Sequence, residues 1–266
     1  MTFASRWPDL RRVNVANLPV SDISYAELLA VIDQSLTTGR RLTISYATPH
    51  TFSLLRRHLD FAEQLHAMDL VLADGIGVVL GGRLIGERIC CRISIGLIAP
   101  FLMPRLAERG TRVFLFGGSP GIAEQAATRL CSAYAGLNVV GTHHGFLEPG
   151  HEQGLVDRIN AAEAEVLLIG LGQPLQERWI ARHADQLRAP VLFAVGGFLH
   201  QSAVRAKYYP DWVTALRVNW AYRLIKEPRR LWRRYLEAFT EFGAAVAWEA
   251  TVGRWRQRGA PSHRGR

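Results

Sequence analysis

Cysteine is scarce in this sequence, which has three cysteines among 266 residues. Cys90 and Cys91 are adjacent, Cys131 is distant, and none has the spacing of zinc ligands. We therefore expect a reduced, cytoplasmic protein without a disulfide framework. Long apolar runs are also missing. No stretch reaches the roughly 18 uncharged apolar residues of a membrane span, so we expect no transmembrane helix. The N-terminal residues lack the apolar core of a signal peptide, and we expect none.

The chain also lacks the short motifs that identify common cofactor and metal sites. The glycine loop at Gly117-Gly118 has no Walker lysine and does not match the GxGxxG dinucleotide fingerprint. The Asp74–Gly77 turn matches that fingerprint poorly, because no acidic residue follows at the required distance. There is no Asp-x-Asp motif, and adjacent His143-His144 side chains point in different directions. The sequence therefore predicts no metal and no cofactor, and it argues against a nicotinamide-dependent oxidoreductase, which stays as an alternative.

Basic charge is concentrated in the last quarter of the chain. Residues 1–199 contain 18 basic and 18 acidic side chains, whereas residues 200–266 contain 14 basic and 5 acidic ones. The formal net charge of +9 therefore belongs to the last quarter, which also carries five of the seven tryptophans. Such a segment is typical of binding to an anionic membrane surface or a polyanionic ligand. We find no nucleic-acid-binding module and expect no nucleic acid as partner.

Apolar strands alternate with helices of about 10–15 residues, which is typical of parallel βαβ units. The predicted strands are 42–47, 69–73, 112–116, 138–141, 166–171 and 191–195. The predicted helices are 25–36, 52–65, 78–85, 122–134, 153–162 and 175–187, and 87–106 is apolar and helical. Ser21 or Asp22 is expected to cap the first helix. The sequence predicts an α/β fold with a mostly parallel sheet flanked by helices, followed by a helical basic appendage.

Polar residues follow two of these strands at the edge where open α/β sheets bind ligands. Asp74 fits two roles equally well, a general base with a tunable pKa or the N-cap of the next helix. Gln176, Glu177 and Arg178 come after the strand 166–171, where a polar ligand would bind. An ordinary strand-to-helix turn explains that second group equally well.

Two further groups of residues fit phosphate binding. The backbone N–H groups of the Gly117-Gly118 loop, together with the following helix dipole, can form a phosphate cradle, with a tight structural turn as the alternative. Arg223, Arg230 and Arg233 would share a broad face of a continuous helix, although Pro228 interrupts it. They suit a diphosphate clamp, and a basic face towards solvent or membrane is an equal alternative.

An ordered set of motifs runs from about Val15 to Arg234. The set comprises Thr48-Pro49, LVLADGIGVV, Glu87-Arg88, RVFLFGGSPGIAEQAA, VVGTHHGF, GLGQPLQERW, AVGGF and WAYRLIKEPRRLWRR. In this order the motifs resemble the WecG/TagA/CpsF family of glycosyltransferases, glycosyltransferase family 26. GLGxPxQE and the YRLxxEPRR ending are the specific parts of the match.

The resemblance implies a Rossmann-like core over residues 1–205 and a membrane-docking helical appendage over 206–258, whereas the composition of residues 259–266 itself predicts a disordered basic tail. It also implies inverting, metal-independent transfer of a sugar from a UDP-sugar to a polyprenyl-diphosphate-linked saccharide in the synthesis of cell-surface polysaccharides. The protein would lie on the inner face of the cell membrane. A degenerate, non-catalytic scaffold of a polysaccharide assembly complex is the alternative. A homo-oligomer stays open, since nothing in the sequence sets the number of subunits.

The resemblance also implies roles for individual residues. Asp74 would be the general base, Thr48 and Gln176 would line the catalytic pocket, and Arg88 would lie near the donor. Arg223, Arg230 and Arg233 would stabilise the diphosphate leaving group. The remaining substrate-binding residues implied by the motifs are His50, Gly117, Gly118, Gly145, Phe146 and Gly172.

Several positions depart from the usual family pattern. His50 replaces an asparagine, Cys91-Arg92-Ile93 replaces a Gly-x-Asp segment, and His200 lies where an aspartate is usual. Tyr208-Tyr209-Pro210 replaces Arg-Ala-Pro. Because these residues are expected near the pocket, the donor sugar is left open between an N-acetylmannosamine type and a glucose-type hexose.

Overall fold

A six-stranded parallel sheet forms the centre of the molecule. The computed structural model describes residues 7, 10–148, 150–206, 210, 213, 219–226 and 228–259. The sheet strands are β3 (Leu42–Ala47), β4 (Leu70–Ala73), β5 (Arg112–Gly117), β6 (Asn138–His143), β7 (Val166–Gly170) and β8 (Val191–Ala194). Their order is β4-β3-β8-β7-β5-β6, and every neighbouring pair is parallel. Before the sheet, β1 (Arg12–Val15) and β2 (Leu18–Ser21) form an antiparallel pair. The predicted α/β fold with a parallel sheet is confirmed.

Helices cover both faces of the sheet, which explains why its inner strands are apolar almost throughout. One face carries α2 (Pro49–Arg57), α3 (Leu59–His66), α4 (Ile76–Leu84), α7 (Glu152–Ala161) and α8 (Leu175–His183). The other carries α1 (Tyr25–Thr38), α5 (Ile95–Glu108), α6 (Ile122–Ala133) and α9 (Phe198–Val204). Each face has its own buried apolar cluster, so alternate side chains of every strand find an apolar environment.

Three of the differences between the predicted and the observed helices have a clear local cause. Ser24 caps α1, not Ser21 or Asp22, and it forms a reciprocal capping box with Glu27. The helix predicted to run to residue 65 is divided at His58, whose extended backbone separates α2 from α3. Residues 87–94 do not form a helix, although their apolar composition suggested one. In that segment tertiary hydrogen bonds replace helical ones, as described below.

The C-terminal helix (Pro228–Gly259) packs along α2 and α4 and adds residues to the core. Phe242 and Val246 are buried, and the Phe242 ring meets Phe52 edge to face at a centroid distance of 5.8 Å. Gly81 of α4 permits this close approach, because a Cβ there would lie 3.0 Å from the Phe242 ring. The predicted helical character after residue 210 holds for the helices Asn219–Lys226 and Pro228–Gly259. Residues 260–266 of the predicted tail lie outside the described part.

Candidate active site

A cavity of about 890 Å³ lies at the carboxyl edge of the sheet. Its walls come from the segments that follow β3, β4, β5, β6, β7 and β8, with one side closed by the C-terminal helix. Ligands bind at this edge in open α/β sheets because the strand ends and the helix N-termini face the same crevice. The cavity therefore lies at the sheet edge where the strand ends predicted a ligand.

Asp74 lies on the cavity wall directly after β4. Its backbone N–H donates to the carbonyl of Ala47 at 2.9 Å, which extends the pairing of β3 and β4 to the cavity edge. The side chain is half-buried. Gly75, with a φ of 114°, holds the N-cap position of α4. Of the two roles proposed from sequence, the structure therefore does not give Asp74 the capping one, and the carboxylate is placed at the cavity.

Thr48 and His50 line the cavity from the turn between β3 and α2. Thr48 is the N-cap of α2, where its side chain accepts from the Thr51 backbone N–H at 3.2 Å. The Thr51 hydroxyl in turn donates to Gln173 Oε1 at 2.7 Å. This contact connects the turn after β3 with the turn after β7, two segments that are more than a hundred residues apart in sequence.

A buried polar network lies beneath the cavity and fixes the turn after β7. Glu177 Oε1 accepts from Ser45 Oγ at 2.6 Å, from Gln176 Nε2 at 2.8 Å and from Gln173 Nε2 at 3.2 Å. Gln176 Oε1 accepts from the Gly196 backbone N–H at 3.1 Å. Burial raises the pKa of the Glu177 carboxyl above its ordinary value, while these donors act in the opposite direction.

Neighbouring residues of the turn after β7 differ in whether they face the cavity. Gln176 and Glu177 are completely buried and are absent from the cavity lining, whereas Gln173 and Gly172 line the cavity. Gln176, expected to line the catalytic pocket, thus reaches it only through the residues it holds. Gln173 was not singled out from sequence, and its position within the GLGQP motif is the signal that could have found it.

The glycine turn after β5 brings three strand ends close together. A Cβ at residue 117 would lie 2.7 Å from the Cα of Gly170, so only glycine permits this approach of β5 to β7. Gly145 N–H donates to Gly118 O at 2.7 Å and joins the segment after β6 to the same turn. Gly118, Gly145 and Phe146 line the cavity, while Gly117 is buried behind them.

Three arginines line the cavity, and sequence reasoning did not assign a site role to two of them. Arg178 and Arg182 lie one turn apart on α8, and Arg92 comes from the segment before α5. Arg178 Nη2 also contacts Asp60 Oδ2 at 2.7 Å. Arg88, the arginine predicted to lie near the donor, is exposed and does not belong to the cavity lining. Arg92 belongs to the segment 91–93 that was expected near the pocket, although no role was predicted for its side chain.

The C-terminal helix contributes Tyr235, Ala238 and Phe239 to the cavity wall. Arg233 is exposed, and its guanidinium lies 5.2 Å from the centroid of the Trp232 ring, outside the cavity lining. The side chains of Arg223 and Arg230 lie outside the described part of the chain. The expected arginine clamp is therefore not visible in what the structure describes.

Among the residues that the structure describes, no group of three or more His, Cys, Asp or Glu side chains could hold a metal ion. Every helix in the described part of the chain is too short or too polar to cross a bilayer.

The chain matches a known protein family over most of its length. Residues 13–256 match the sequence profile of the family described as "Glycosyl transferase WecG/TagA/CpsF family". The chain belongs to this family. The match extends through the C-terminal helix, so the WecG/TagA/CpsF pattern includes the part of the chain that closes the cavity as well as the sheet.

Two curated relatives of this chain share one description. An N-acetylglucosaminyldiphosphoundecaprenol N-acetyl-beta-D-mannosaminyltransferase of Bacillus subtilis (strain 168) is 27% identical over 194 residues, which are 73% of this chain and 74% of that protein. A protein of the same description from Staphylococcus aureus (strain MW2) is 28% identical over 231 residues, 84% of this chain and 89% of its own length. Membership in the WecG/TagA/CpsF family favours glycosyl transfer over the oxidoreductase alternative.

Proposed function

We propose that this protein is an inverting, metal-independent glycosyltransferase. It moves a hexose, of N-acetylmannosamine or glucose type, from a UDP-sugar to a polyprenyl-diphosphate-linked saccharide in the synthesis of a cell-surface polysaccharide. The observation that carries the proposal is the half-buried Asp74 on the wall of a cavity that the family motifs surround. The relatives' descriptions support the lipid-linked acceptor, because both name N-acetylglucosaminyldiphosphoundecaprenol.

In the proposed reaction Asp74 accepts the proton of the acceptor hydroxyl. The freed oxygen attacks the anomeric carbon of the donor from the face opposite UDP, and the bond between that carbon and the diphosphate oxygen breaks. One displacement inverts the configuration. UDP leaves with the electron pair of the broken bond, so the diphosphate gains negative charge in the transition state.

Arginines are the groups of this chain that suit the developing charge. Arg92, Arg178 and Arg182 line the cavity, and both substrates carry a diphosphate. Preorganised guanidinium groups present forked donors to phosphate oxygens and need no reorganisation during the reaction. The Gly118 and Gly145 turns add backbone close to the same space, which supports the proposal that they hold the nucleotide.

Membrane association at the inner leaflet is proposed from the C-terminal helix. Its Trp232, Leu236 and Trp248 are exposed, and it lies in the region that carries the chain's basic excess. Exposed tryptophan and leucine beside basic residues suit the interface of an anionic bilayer. Because the same helix closes the cavity, a lipid-linked acceptor could enter at the membrane surface.

The test is UDP release by the full chain with a panel of UDP-sugars, with and without a lipid-diphosphate acceptor, and with EDTA throughout. We expect acceptor-dependent release with one donor. Asp74→Asn should lower turnover by about 10²–10⁴-fold, the usual contribution of a general base, while UDP binding is retained. Asp157→Asn is the matched control, because Asp157 is exposed on α7 and outside the cavity lining.

Two results would redirect the proposal. An Asp74→Asn variant with near-parental turnover would remove Asp74 from the base role. Binding of UDP without turnover of any donor would favour the degenerate scaffold.

A further inference from the structure

Cys90 and Cys91 form a pair of adjacent thiols in the irregular segment between α4 and α5. Their Sγ atoms are 3.4 Å apart and share a hydrogen bond. Cys90 is exposed and Cys91 is half-buried, so small molecules can reach the pair. The segment has no helical hydrogen bonds to break, which leaves its backbone able to change locally.

The segment around the pair is attached at four points, three of them at the start of α1 and the residues just before it, and one at the end of β4. Cys90 N–H donates to Asp22 Oδ1 at 2.7 Å, and Cys91 Sγ donates to the carbonyl of Ile23 at 3.3 Å. The Tyr25 hydroxyl donates to the carbonyl of Arg92 at 2.9 Å. The next backbone N–H, that of residue 93, donates to residue 73 at the end of β4 at 2.9 Å.

These anchors connect the thiols to the candidate active site. Arg92 follows the pair directly and lines the cavity. Residue 73, which accepts the last of these hydrogen bonds, is the final residue of β4 and immediately precedes Asp74. Arg92 is the next residue in the chain, so a change in the backbone of residues 90 and 91 changes the position of this cavity arginine.

We propose that Cys90 and Cys91 are a dithiol modification site that a hydroperoxide oxidises to a disulfide, and that closing this bond displaces Arg92 and lowers turnover. One thiolate attacks the peroxide, the O–O bond breaks, and a sulfenic acid forms. The neighbouring thiol displaces its hydroxyl as water, which leaves an S–S bond. In total two S–H bonds are lost, and the peroxide is reduced to water and an alcohol, or to two waters. The effect on turnover rests on the proposed transferase activity, whereas the oxidation itself does not.

The geometry of neighbouring residues explains why closure must move the backbone. Adjacent Cα atoms lie about 3.8 Å apart across a trans peptide, which is shorter than the roughly 4.4–6.8 Å usual between disulfide-bonded residues. The ring can close only with a twist of the 90–91 peptide, and this twist is carried into Arg92. Strained disulfides are readily reduced, so the site is suited to reversible modification.

The ionisation of Cys90 assigns the two thiols different steps. Partial burial raises the pKa of Cys90 to about 12, and Cys91 and Asp22 contribute in the same direction. At neutral pH Cys90 therefore keeps its proton, so it serves as the second thiol, which condenses with the sulfenic acid formed on Cys91.

The first experiment treats the full chain with hydrogen peroxide and follows the thiols by mass spectrometry. Trypsin cleaves after Arg88 and Arg92, so both cysteines fall in one four-residue peptide, 89–92. We expect this peptide to lose two hydrogen atoms and to regain them with dithiothreitol. Cys131→Ser, which removes the third cysteine, should behave identically, and Cys90→Ser should lose the reaction. A disulfide between two molecules, or over-oxidation of single cysteines, would overturn the proposal.

The second experiment measures the displacement of the backbone beside Arg92 and needs no activity assay. Hydrogen exchange at the backbone amide of residue 93 should be about tenfold faster in the oxidised chain, since its bond to residue 73 is weakened. Unchanged exchange would disprove the coupling even if the disulfide forms.

Turnover provides the third readout. Where UDP release is measurable, oxidation should reduce it reversibly in the parent and leave Cys90→Ser unaffected. Equal turnover of the oxidised and reduced parent would contradict the regulatory part. Absence of turnover in the reduced parent would contradict the proposed function and leave the first two experiments to decide on the dithiol site.

Discussion

Glu177 combines a structural and a chemical role at the residue scale. Its carboxyl is completely buried, holds Gln173 and Gln176 in position, and has a pKa raised by burial. When the pH rises above the ordinary value of 4.5, the unfolded chain loses this proton before the folded chain does. The free energy of unfolding therefore falls with pH from that value up to the raised pKa, and it is constant above it.

Replacing the Glu177 carboxyl by an amide tests whether its ionisation lowers the free energy of unfolding as the pH rises. Glu177→Gln keeps an oxygen that can accept from Ser45 and removes the ionisation. We expect the stability of the variant relative to the parent to increase as the pH rises from about 4 to 8, measured by urea unfolding at each pH. Glu108→Gln, at the exposed end of α5, is the control. A stability difference that does not change with pH would show that Glu177 is ionised in the folded protein.

At the scale of elements, the cavity depends on how closely β5 and β7 approach at their carboxyl ends. Gly117 has a φ of 140°, a conformation unfavourable for other residues, and it faces the Gly170 backbone directly. Gly118 N–H donates to Gly170 O at 3.2 Å. The turn that shapes one wall of the site is therefore fixed by backbone contact, and a side chain at residue 117 would separate the two strands.

A single methyl group tests this contact. Gly117→Ala should lower the free energy of unfolding by about 3 kcal/mol, the upper range for overpacking, because the opposing atoms are backbone and cannot rotate away. Gly154→Ala is the matched control, since Gly154 lies in α7 with no atom within 4 Å of an added Cβ. There the change should be neutral or stabilising by about 1 kcal/mol or less. Urea midpoints of the two variants check both values, and equal midpoints would refute the argument.

At the scale of the whole molecule, the basic C-terminal segment is at once part of the core and the outer surface of the site. Phe242 and Val246 are buried against α2 and α4, and Ala16 N–H donates to Glu249 Oε2 at 2.9 Å. Arg57 pairs with Glu237 and Glu241 across the same interface, although exposed pairs of this kind add little stability. Truncation near residue 210 would therefore uncover core residues as well as remove the proposed membrane contact.

Two substitutions separate these functions. Phe242→Ala should cost about 3–5 kcal/mol in the free energy of unfolding, because it leaves a cavity beside Phe52. Trp248→Ala should leave stability nearly unchanged, since Trp248 is 73% exposed, but weaken sedimentation with anionic phospholipid vesicles. Equilibrium unfolding and vesicle sedimentation measure the two effects. A Trp248→Ala chain that binds vesicles as the parent does would remove this residue from the proposed membrane contact.

Local sequence patterns were enough to predict the alternation of strands and helices and the sheet edge at which the candidate site lies. The spacing of apolar residues and the presence of turn residues are local properties of the chain. They predicted the strand Leu42–Ala47 with the observed limits and placed Asp74 at the end of a strand. The motifs likewise predicted the family. Charge counting found the basic excess of the last quarter without any knowledge of the fold.

Which of the neighbouring polar residues face the cavity depends on tertiary contacts and could not be predicted from local patterns. Gln176 and Gln173 are three residues apart in one motif, yet one is buried beneath the site and the other lines it. Arg92 reaches the cavity and Arg88 does not, because hydrogen bonds to the Ala73 and Tyr25 regions hold the segment between them in a non-helical course. Such contacts join residues far apart in the chain, and they leave no periodic signal in the sequence from which a side chain's direction could be predicted.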